Sequence, residues 1–552
     1  MTSSMESHCI PFREIPQTTK LFSTFLDDFS RVAGYYAHPS IAEGIAAAAR
    51  EVRIDGAVRR GVVEVLREQN SRLGANGKLD AAAARSLDRL AAGAVAIVTG
   101  QQVGLFSGPA LSFYKALSIG RCAEEMAQRG TEAVPVFWLA TEDHDLAEVN
   151  HSFWSTRSGL VRHDLPIREE QAGRSAGEVV FGDEIQPLVN AAVETLEGPG
   201  GEEIARALRE SYTPGETYGS AFGKLMARLL AGRGIIFMDP LDVRLHQLAA
   251  PVFLRAVKDS DSLHDALLAR SQELASAGFH AQVKVANDAT PLCCNVDGRR
   301  QPVRSRDGGF VVGNVEISRS QALEAIEKRP EDFSPAALLR PIVQDTLLPT
   351  AAYIGGPAEI AYLAQAQVIY KQFIGRMPAI LPRASFTIVE PPIARFLSQY
   401  DLSISDILAG PQHLRAKMER KSLPATLSSR FDESEAAIRA MLKAYEEPLS
   451  RLDPTLLDAL RGSEQKILHQ IGQLKGKVAR AEALRSGVLD RHERILLDSL
   501  YPHHALQERS LCLLPFLASQ GLGLLDDLVR LADIPPSGSA SSCAHGHQIV
   551  TL

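Results

Sequence analysis

Three carboxylates surround one imidazole in the run Glu142-Asp143-His144-Asp145, the densest cluster of reactive side chains in the sequence. Such a cluster can supply a general base, orienting groups or Mg²⁺ ligands. Asn150 follows closely and adds a polar amide. In the alternative interpretation, Asp145 caps the next helical turn while Glu142 and Asp143 face water.

A glycine-rich loop, GQQVGLFSGP at Gly100–Pro109, directly precedes a predicted helix. Glycines let backbone N–H groups approach an anion, and the dipole of the following helix favours phosphate or carboxylate. The spacing matches neither GxGxxG nor a P-loop, so a tight turn that requires glycine is an equal alternative. The candidate binding residues of this loop and helix are Gln101, Gln102, Gly104, Gly108 and Lys115.

A second glycine segment, GGPAE, has a similar character, with a proline that can open a helix. Glu359 in its first turn could complement the helix dipole or hold a substrate ammonium group. For a lone arginine nearby, a structural ion pair is the alternative to ligand binding. The candidate binding residues of this region are Arg340, Gln344, Gly355, Gly356, Glu359, Arg383 and Ser385.

Two cysteine-containing clusters have weaker claims to chemistry. Cys293 and Cys294 lie in an apolar segment and are expected to act as core residues. The tail containing Cys543, His545 and His547 is flanked by GSASS, so adventitious metal binding is favoured over a built site. Neither HExxH nor a paired CxxC occurs, and no zinc is expected.

Short apolar segments must position these residues, because nearly all of the candidates follow one. A strand, a helix and a second strand are predicted within residues 94–140, which indicates a parallel sheet. Ligands of such sheets bind beyond the carboxyl ends of the strands. The sequence therefore predicts an α/β core with a parallel sheet and with its site at that edge. The predicted strands are Ala94–Gly100, Val134–Ala140, Gly234–Pro240, Leu347–Pro357 and Pro378–Ser385.

The remaining chain is predicted to surround this core. Residues 1–93 form a helical segment packed on the core, which spans 94–400 with insertions at about 152–232 and 255–340. In 411–505, Ile467, Ile471, Leu474 and Val478 are spaced 4, 3 and 4, which indicates an antiparallel α-helical coiled coil. Residues 506–552 return to the core and end in an edge strand.

Composition excludes several classes of protein. The 552 residues are 45% hydrophobic and 23% charged, which is typical of a globular chain rather than a disordered one. A net charge of −7 gives no general attraction to nucleic acid or membranes, and neither is expected as a partner. Six scattered cysteines and the lack of a signal peptide or a spanning apolar run favour a cytoplasmic location.

Four long motifs, taken together, resemble one family. VTGQQVGLFSGPALSFYKALSI, PVFWLATEDHDLAEVNH, RPIVQDTLLPTAAYIGGPAEIAYLAQ and MPAILPRAS occur in the order found in the bacillithiol biosynthesis cysteine-adding enzymes, the BshC family. The resemblance covers nearly the whole chain, including the coiled coil. It implies a Rossmann-like core with connecting insertions, a homodimer formed through the coiled coil, and addition of cysteine to glucosaminyl-malate, the last step to bacillithiol.

Motifs and resemblance combine into one hypothesis. Amide formation from a carboxylate requires activation, for which ATP, with or without Mg²⁺, is the expected source. The glycine loop would hold phosphate or carboxylate, and His144, backed by Asp143 and Asp145, would orient or deprotonate the glucosamine ammonium. An acyl-adenylate and an acyl-phosphate both remain open. The alternatives are a nucleotidylyltransferase or synthetase-like enzyme acting on another metabolite, and a non-catalytic coiled-coil protein that binds a metabolite.

Overall fold

The computed structural model describes residues 6–157, 159–421, 425–532 and 545–552. The chain divides into two compact units. The larger contains Ser7–Thr387 and Glu508–Ile549, and the smaller contains Ile388–Gln507 and Val550–Leu552.

Helices and strands alternate through much of the larger unit, and helices dominate the smaller one. The strands are β1 (Glu6–Ile10), β2 (Val95–Gln101), β3 (Ala133–Leu139), β4 (His151–Thr156), β5 (Gly159–Asp164), β6 (Ile236–Met238), β7 (Ala289–Val296), β8 (Arg299–Arg306), β9 (Gly309–Val312), β10 (Val315–Ile317), β11 (Phe333–Pro335), β12 (Thr350–Gly355), β13 (Ala379–Pro382), β14 (Phe386–Val389) and β15 (His547–Thr551). The helices are α1 (Lys20–Asp27), α2 (Ala42–Glu51), α3 (Gly56–Leu73), α4 (Ala81–Ala92), α5 (Leu111–Gln128), α6 (Leu146–Val149), α7 (Ile185–Glu194), α8 (Gly201–Ser211), α9 (Tyr218–Leu229), α10 (Val243–Lys258), α11 (Ser260–Ser276), α12 (Arg319–Lys328), α13 (Arg340–Leu347), α14 (Pro357–Phe373), α15 (Pro391–Tyr400), α16 (Ile404–Leu408), α17 (Pro411–Lys421), α18 (Ala425–Lys443), α19 (Glu446–Leu452), α20 (Leu456–Ser486), α21 (Val488–Leu500), α22 (Gln507–Ser510), α23 (Leu514–Gln520) and α24 (Gly523–Arg530).

A five-stranded sheet forms the core of the larger unit, in the order β13-β12-β2-β3-β6 with every adjacent pair parallel. Its strands are continuous apolar runs because helices cover both faces of a parallel sheet. All of β3 is buried, and so is β2 up to its last residue, Gln101. The predicted Rossmann-like parallel sheet is confirmed, and the strand order is new information.

Helix ends set where the central strands begin. Asp80 accepts hydrogen bonds from the N–H groups of Ala82 and Ala83 and so caps the start of α4. Gly93 ends the same helix at φ +119°, a conformation that favours glycine, and β2 starts two residues later. This turn delivers the chain from the packed helices directly into the middle of the sheet.

An antiparallel sheet of five strands, in the order β10-β9-β8-β7-β11, is built from residues 289–335. Cys293 and Cys294 pair with Ser334 and Phe333 across β7 and β11. Cys293 is buried, and burial raises the pKa of its thiol, which suits a core residue rather than a nucleophile. This sheet also carries Arg300 in β8.

A small three-stranded sheet has the order β1-β15-β14, and residues 7–10, 386–387 and 547–549 of it belong to the larger unit. The prediction of a terminal edge strand is wrong, because β15 is the middle strand of this sheet. Within the larger unit, the N–H of Gln548 donates to the carbonyl of Ser385 at 2.9 Å.

Within the smaller unit, α18 and α20 form a helical hairpin and run antiparallel. Arg439 pairs with Glu464 at 3.0 Å, and Lys475 pairs with Asp432 at 2.7 Å. The predicted coiled coil is confirmed. Two positions of its apolar repeat remain partly accessible, Ile467 at 37% and Leu474 at 52% exposure.

No helix in the described ranges is both long enough and apolar enough to cross a membrane.

Candidate functional site

A cavity of about 540 Å³ lies in the larger unit at the carboxyl ends of β2, β3, β12 and β13. We call it the sheet-end cavity. Loops that follow parallel strands converge there because all four strands point the same way. The sequence-predicted residues that line it are Gln101, Gln102, Lys115, Glu142, Asp143, Arg340, Gly356, Glu359 and Arg383.

A buried ion pair between Lys115 and Glu359 forms part of the cavity wall, with 2.6 Å between Nζ and Oε2. Lys115 also donates to the carbonyl of Gly100 at 2.6 Å and to Oε1 of Gln101 at 2.9 Å. Glu359 accepts from the Tyr353 hydroxyl as well. The Lys115 ammonium is therefore already neutralised within the protein.

The N–H of Gly356 donates to Glu359 Oε2 at 2.8 Å at the start of α14. Burial alone would raise the pKa of Glu359, but the Lys115 ammonium and the Gly356 N–H lower it below its usual value. Glu359 is thus an ionised carboxylate that already accepts from three protein donors, the Lys115 ammonium, the Tyr353 hydroxyl and the Gly356 N–H. It also complements the dipole of α14.

Arg340 enters the cavity from the start of α13. Its guanidinium donates to the Tyr362 hydroxyl at 2.7 Å and to Oε1 of Gln344 at 3.1 Å. It also lies over the Tyr353 ring, 5.6 Å from the centroid. Gln344 is fully buried behind it and is fixed by Asp345. Within the described ranges Arg340 forms no ion pair with a carboxylate, so its charge is available to a ligand.

The loop after β3 supplies an acidic wall. Nε2 of Gln102 donates to Asp143 at 2.7 Å and to Glu148 at 2.6 Å, which holds the two carboxylates side by side. Glu142 is 7% exposed and also lines the cavity. Its burial raises its pKa, because the charged form is desolvated.

Arg383 lines the cavity, but its guanidinium is already paired with a carboxylate of the protein. It donates to Glu508 at 2.6 Å, and the Ser385 hydroxyl donates to the same carboxylate at 2.8 Å. Nδ1 of His547 lies 2.7 Å from the Ser385 hydroxyl. We call Arg383, Ser385, Glu508 and His547, with Thr387, the sealed cluster.

Several predicted site residues do not reach the cavity wall. His144 is half-exposed, and its Nδ1 lies 3.2 Å from a guanidinium nitrogen of Arg300. Asn150 instead donates to the Leu165 carbonyl at 3.0 Å. The residues outside the lining are Gly104, Gly108, His144, Asp145, Asn150, Gln344, Gly355 and Ser385.

The glycine loop is packed into the core. Phe106 and Ser107 are completely buried, and a Cβ on Gly104 would lie 2.8 Å from Cα of Gly108. The N–H of Ala110, before α5, donates to the Leu511 carbonyl at 2.7 Å. The alternative, a tight connection that requires glycine, describes this loop, and its predicted anion cradle is not formed at the cavity.

Sequence reasoning missed several lining residues. Arg300 comes from the antiparallel sheet and Arg509 from the C-terminal segment, while Tyr353, Tyr362 and Glu148 come from within segments already considered. Arg300 donates to the Ser334 hydroxyl at 2.9 Å and to the Pro335 carbonyl at 2.8 Å. Neither arginine lies in a motif that marks it. Helical spacing from Glu359 could have found Tyr362, three residues on.

In the described part of the chain, no group of three or more His, Cys, Asp or Glu side chains is placed to hold a metal ion. Cys543 of the predicted tail cluster lies outside the described residues. His545 is half-buried, and burial lowers its pKa to about 4. His547 belongs to the sealed cluster.

Family models match both parts of the chain. The "Bacillithiol biosynthesis BshC, N-terminal Rossmann-like domain" matches residues 5–384, and the "Bacillithiol biosynthesis BshC, C-terminal coiled-coil domain" matches residues 386–538.

Full-length relatives agree with these matches. A protein of Koribacter versatilis named "Putative cysteine ligase BshC" is 39% identical over 96% of this chain and 98% of its own length. Relatives of the same name from Solibacter usitatus and Chlorobaculum tepidum are 37% and 33% identical over 94% and 93% of this chain, and 96% and 92% of their own lengths.

Proposed function

The chain belongs to the bacillithiol biosynthesis BshC family, and on that basis we propose that it is a ligase that joins the carboxyl group of L-cysteine to the amine of glucosaminyl-malate. The reaction forms an amide bond and yields bacillithiol. We further propose ATP as the source of carboxylate activation.

The charge distribution of the sheet-end cavity is the observation that carries this proposal. Among the described residues, Arg300, Arg340 and Arg509 line it without an ion pair to a carboxylate. Glu142 and Asp143 line the same space. Charged groups of both signs in one cavity suit ligands that themselves carry both signs.

Both proposed substrates have that character. Cysteine carries an ammonium and a carboxylate, and glucosaminyl-malate carries an ammonium and two carboxylates. The acidic wall suits the ammonium groups, and the arginines suit the carboxylates, since a guanidinium can donate two parallel hydrogen bonds to a carboxylate. Holding both substrates in one cavity supports the reaction by replacing a bimolecular encounter with a positioned one.

The fit of ATP depends on the same arginines. A triphosphate needs cationic or N–H donors, and Arg300, Arg340 and Arg509 supply cations that form no ion pair with a carboxylate of the described chain. Lys115 is unsuited to that role because Glu359 already neutralises it. ATP would supply the group that leaves the cysteine carboxyl. The chain's own residues would bind the substrates, exclude water and accept a proton.

We also propose that the helical hairpin forms a homodimer. Met441 and Tyr445 are each 54% exposed, and Leu474 is 52% exposed, although apolar residues of a coiled coil are normally buried by a partner helix. Sedimentation of the full chain tests this. A Leu474→Glu variant should sediment as a monomer while an Arg461→Glu variant, changed at an exposed polar position, should not. Equal sedimentation of wild type and Leu474→Glu contradicts the proposal.

Product analysis tests the catalytic proposal. The purified chain is incubated with cysteine, glucosaminyl-malate and ATP, and mass spectrometry follows the condensed thiol together with AMP or ADP. Condensed thiol with AMP indicates an adenylate, and with ADP an acyl-phosphate. Nucleotide turnover with another amine or acid only would favour the synthetase-like alternative. Tight binding of glucosaminyl-malate without turnover would favour the metabolite-binding alternative.

A further inference from the structure

A buried carboxyl–imidazole pair stands behind the acidic wall of the sheet-end cavity. Glu142 lines the cavity, and Oε1 of Glu142 lies 3.6 Å from Nε2 of His246 in α10. His246 is 4% exposed and does not line the cavity. We call these two residues the cavity pair.

The surroundings of His246 fix which nitrogen carries its proton. Nδ1 lies 2.9 Å from the carbonyl oxygen of Phe333 and 3.4 Å from that of Pro330. Carbonyl oxygens only accept hydrogen bonds, so Nδ1 must carry a hydrogen. In the neutral ring, Nε2 is therefore a lone pair that faces the Glu142 carboxyl group.

The Glu142 carboxylate has room for one more donor. Among the described residues no hydrogen bond reaches it, and 3.6 Å to Nε2 is just beyond hydrogen-bond distance. A small void of about 10 Å³ is lined by both Glu142 and His246, so a short side-chain movement can close that gap. A carboxylate and an imidazole lone pair repel each other, whereas a protonated carboxyl group can donate to Nε2.

We infer that Glu142 is the base that takes a proton from the ammonium group of the amine substrate, and that His246 is a positioning residue that accepts a hydrogen bond from Glu142 once that proton has arrived. This inference rests on the proposed function. It moves the proton-accepting role from His144, which lies outside the cavity wall, to its sequence neighbour Glu142.

An ammonium loses two protons on becoming an amide N–H. Glu142 takes the first, which leaves a neutral amine whose lone pair attacks the activated carboxyl carbon of cysteine. The C–N bond forms, and the C–O bond to the phosphoryl or nucleotidyl group supplied by ATP breaks. The second proton leaves the nitrogen at this stage and departs with the phosphate oxygen. His246 stays outside the bond changes and holds the first proton on Glu142.

Other charged groups face Glu142 from each neighbouring element. A protonated His246, Arg300 of β8 and Arg340 of α13 favour its charged form, while Asp239 after β6 disfavours it. The neutral His246 ring, protonated on Nδ1, carries no such charge, and its Nε2 lone pair disfavours the ionised carboxylate. Burial has the largest effect and raises the pKa of Glu142. The pH midpoint of catalysis is therefore set by Glu142 together with the groups that face it.

Replacement of His246 should therefore move that midpoint in a defined direction. Without the imidazole, protonated Glu142 loses its hydrogen-bond acceptor and ionised Glu142 loses a repulsive neighbour. Both changes make the pair a weaker base. The acid limb of the pH–rate profile should move to lower pH by about one unit in His246→Phe. His246→Gln, which restores an acceptor but cannot titrate, should show a smaller movement.

The experiment measures thiol formation against pH for wild type, His246→Phe, His246→Gln and Glu142→Gln. Glu142→Gln should lower kcat at least about 100-fold. His163→Phe is the matched control, since His163 is likewise 4% exposed but packs on Trp154 at 4.8 Å between ring centroids. The control should keep the wild-type midpoint. Wild-type kcat in Glu142→Gln, or a shifted midpoint in His144→Ala but not in His246→Phe, overturns the inference.

A second readout does not require turnover. The infrared absorbance of protonated carboxyl groups, taken as wild type minus Glu142→Gln across pH, reports the titration of Glu142 directly. Its midpoint should fall in His246→Phe and stay in His163→Phe; an unmoved midpoint in His246→Phe overturns the inference. If wild type forms no condensed thiol although the Glu142 midpoint falls in His246→Phe, the proposed function is wrong. In that case the interaction between Glu142 and His246 is still supported.

Discussion

The cavity pair and the sealed cluster contain the same chemical groups, a buried glutamate and a buried histidine, yet they differ in how completely they are hydrogen-bonded. In the sealed cluster, Glu508 accepts from Arg383, from Ser385 and from the N–H of Phe386. In the cavity pair, Glu142 accepts from no donor in the described chain. Unused bonding capacity beside a cavity distinguishes a group that can react from one that holds the fold.

The two histidines show the same contrast. The Ser385 hydroxyl donates to Glu508, so it must accept from Nδ1–H of His547, and Nε2 of His547 accepts from the Thr387 hydroxyl at 2.8 Å. His246 has the same Nδ1–H form. Its Nε2 instead faces a carboxyl group. Both nitrogens of the neutral His547 ring already have hydrogen-bond partners, so His547 gains no hydrogen bond from a further proton. His246, in contrast, gains a hydrogen bond when Glu142 is protonated.

Glu142→Gln should have the largest effect and separate the two regions most clearly. It should lower kcat about 100- to 10,000-fold, because the proton acceptor is lost. The raised pKa of Glu142 means that its ionised form costs stability at neutral pH. The free energy of unfolding at pH 7 should therefore stay the same or rise by about 1 kcal/mol. Steady-state kinetics and urea unfolding measure the two effects, and a large loss of stability would contradict the comparison.

Glu508→Gln should show the opposite result. Its side chain and that of Arg383 are 1% and 4% exposed, and the substitution leaves a buried guanidinium without its anion. A loss of about 3–5 kcal/mol in the free energy of unfolding is expected. Urea unfolding of Glu508→Gln is compared with that of Glu142→Gln. The two variants form a matched pair, since both replace a buried glutamate by its isosteric amide. Equal stabilities of the two variants would remove the distinction.

The sealed cluster should also set part of the pH dependence of folding. Burial lowers the pKa of His547 to about 4, from 6.5 for an exposed histidine. The unfolded chain therefore binds a proton that the folded chain refuses between these values, and stability falls as the pH drops from 6.5 towards 4. His547 should account for about 3 kcal/mol of that fall.

Unfolding midpoints from pH 7 to pH 4 measure this dependence. His547→Gln should reduce the dependence of stability on pH without abolishing it, because burial lowers the pKa of His545 as well. An unchanged slope in the variant would show that His547 is not the group responsible.

Arg340→Met should give a smaller effect, confined to substrate binding. Loss of a charged hydrogen-bond donor should raise Kd for glucosaminyl-malate about 10- to 100-fold. Arg509→Met, at a more exposed position, should raise it less. Isothermal titration with glucosaminyl-malate provides the measurement, and wild-type affinity in Arg340→Met would exclude that arginine from recognition.

Local patterns predicted the elements of this fold well. Each of the five apolar segments became a strand of the central sheet, because a segment buried on both faces must be apolar throughout. The spacing of Ile467, Ile471 and Leu474 likewise predicted a coiled coil. These features depend on residues close in sequence.

The candidate site was predicted less evenly. Gln102, Glu142 and Glu359 do line one cavity, as expected from their places after parallel strands. The glycine loop is as rich in glycine as a phosphate-binding loop, but Gly104 and Gly108 serve close packing of backbone in the core. A phosphate-binding loop and a loop packed into the core can have the same local composition. Only the chain that packs around the loop distinguishes them.

The amino-acid sequence by itself determined which segments are buried strands, which helices form a coiled coil and which loops carry polar residues, since periodicity and composition record local burial. The tertiary structure alone decided the strand order, the arrival of Arg300 and Arg509 at the cavity, and the choice of His246 rather than His144 as the partner of Glu142. His144 is two positions away along the chain, but α10 packs His246 against the inner side of Glu142. Such pairings depend on how distant elements pack, and no local pattern records them.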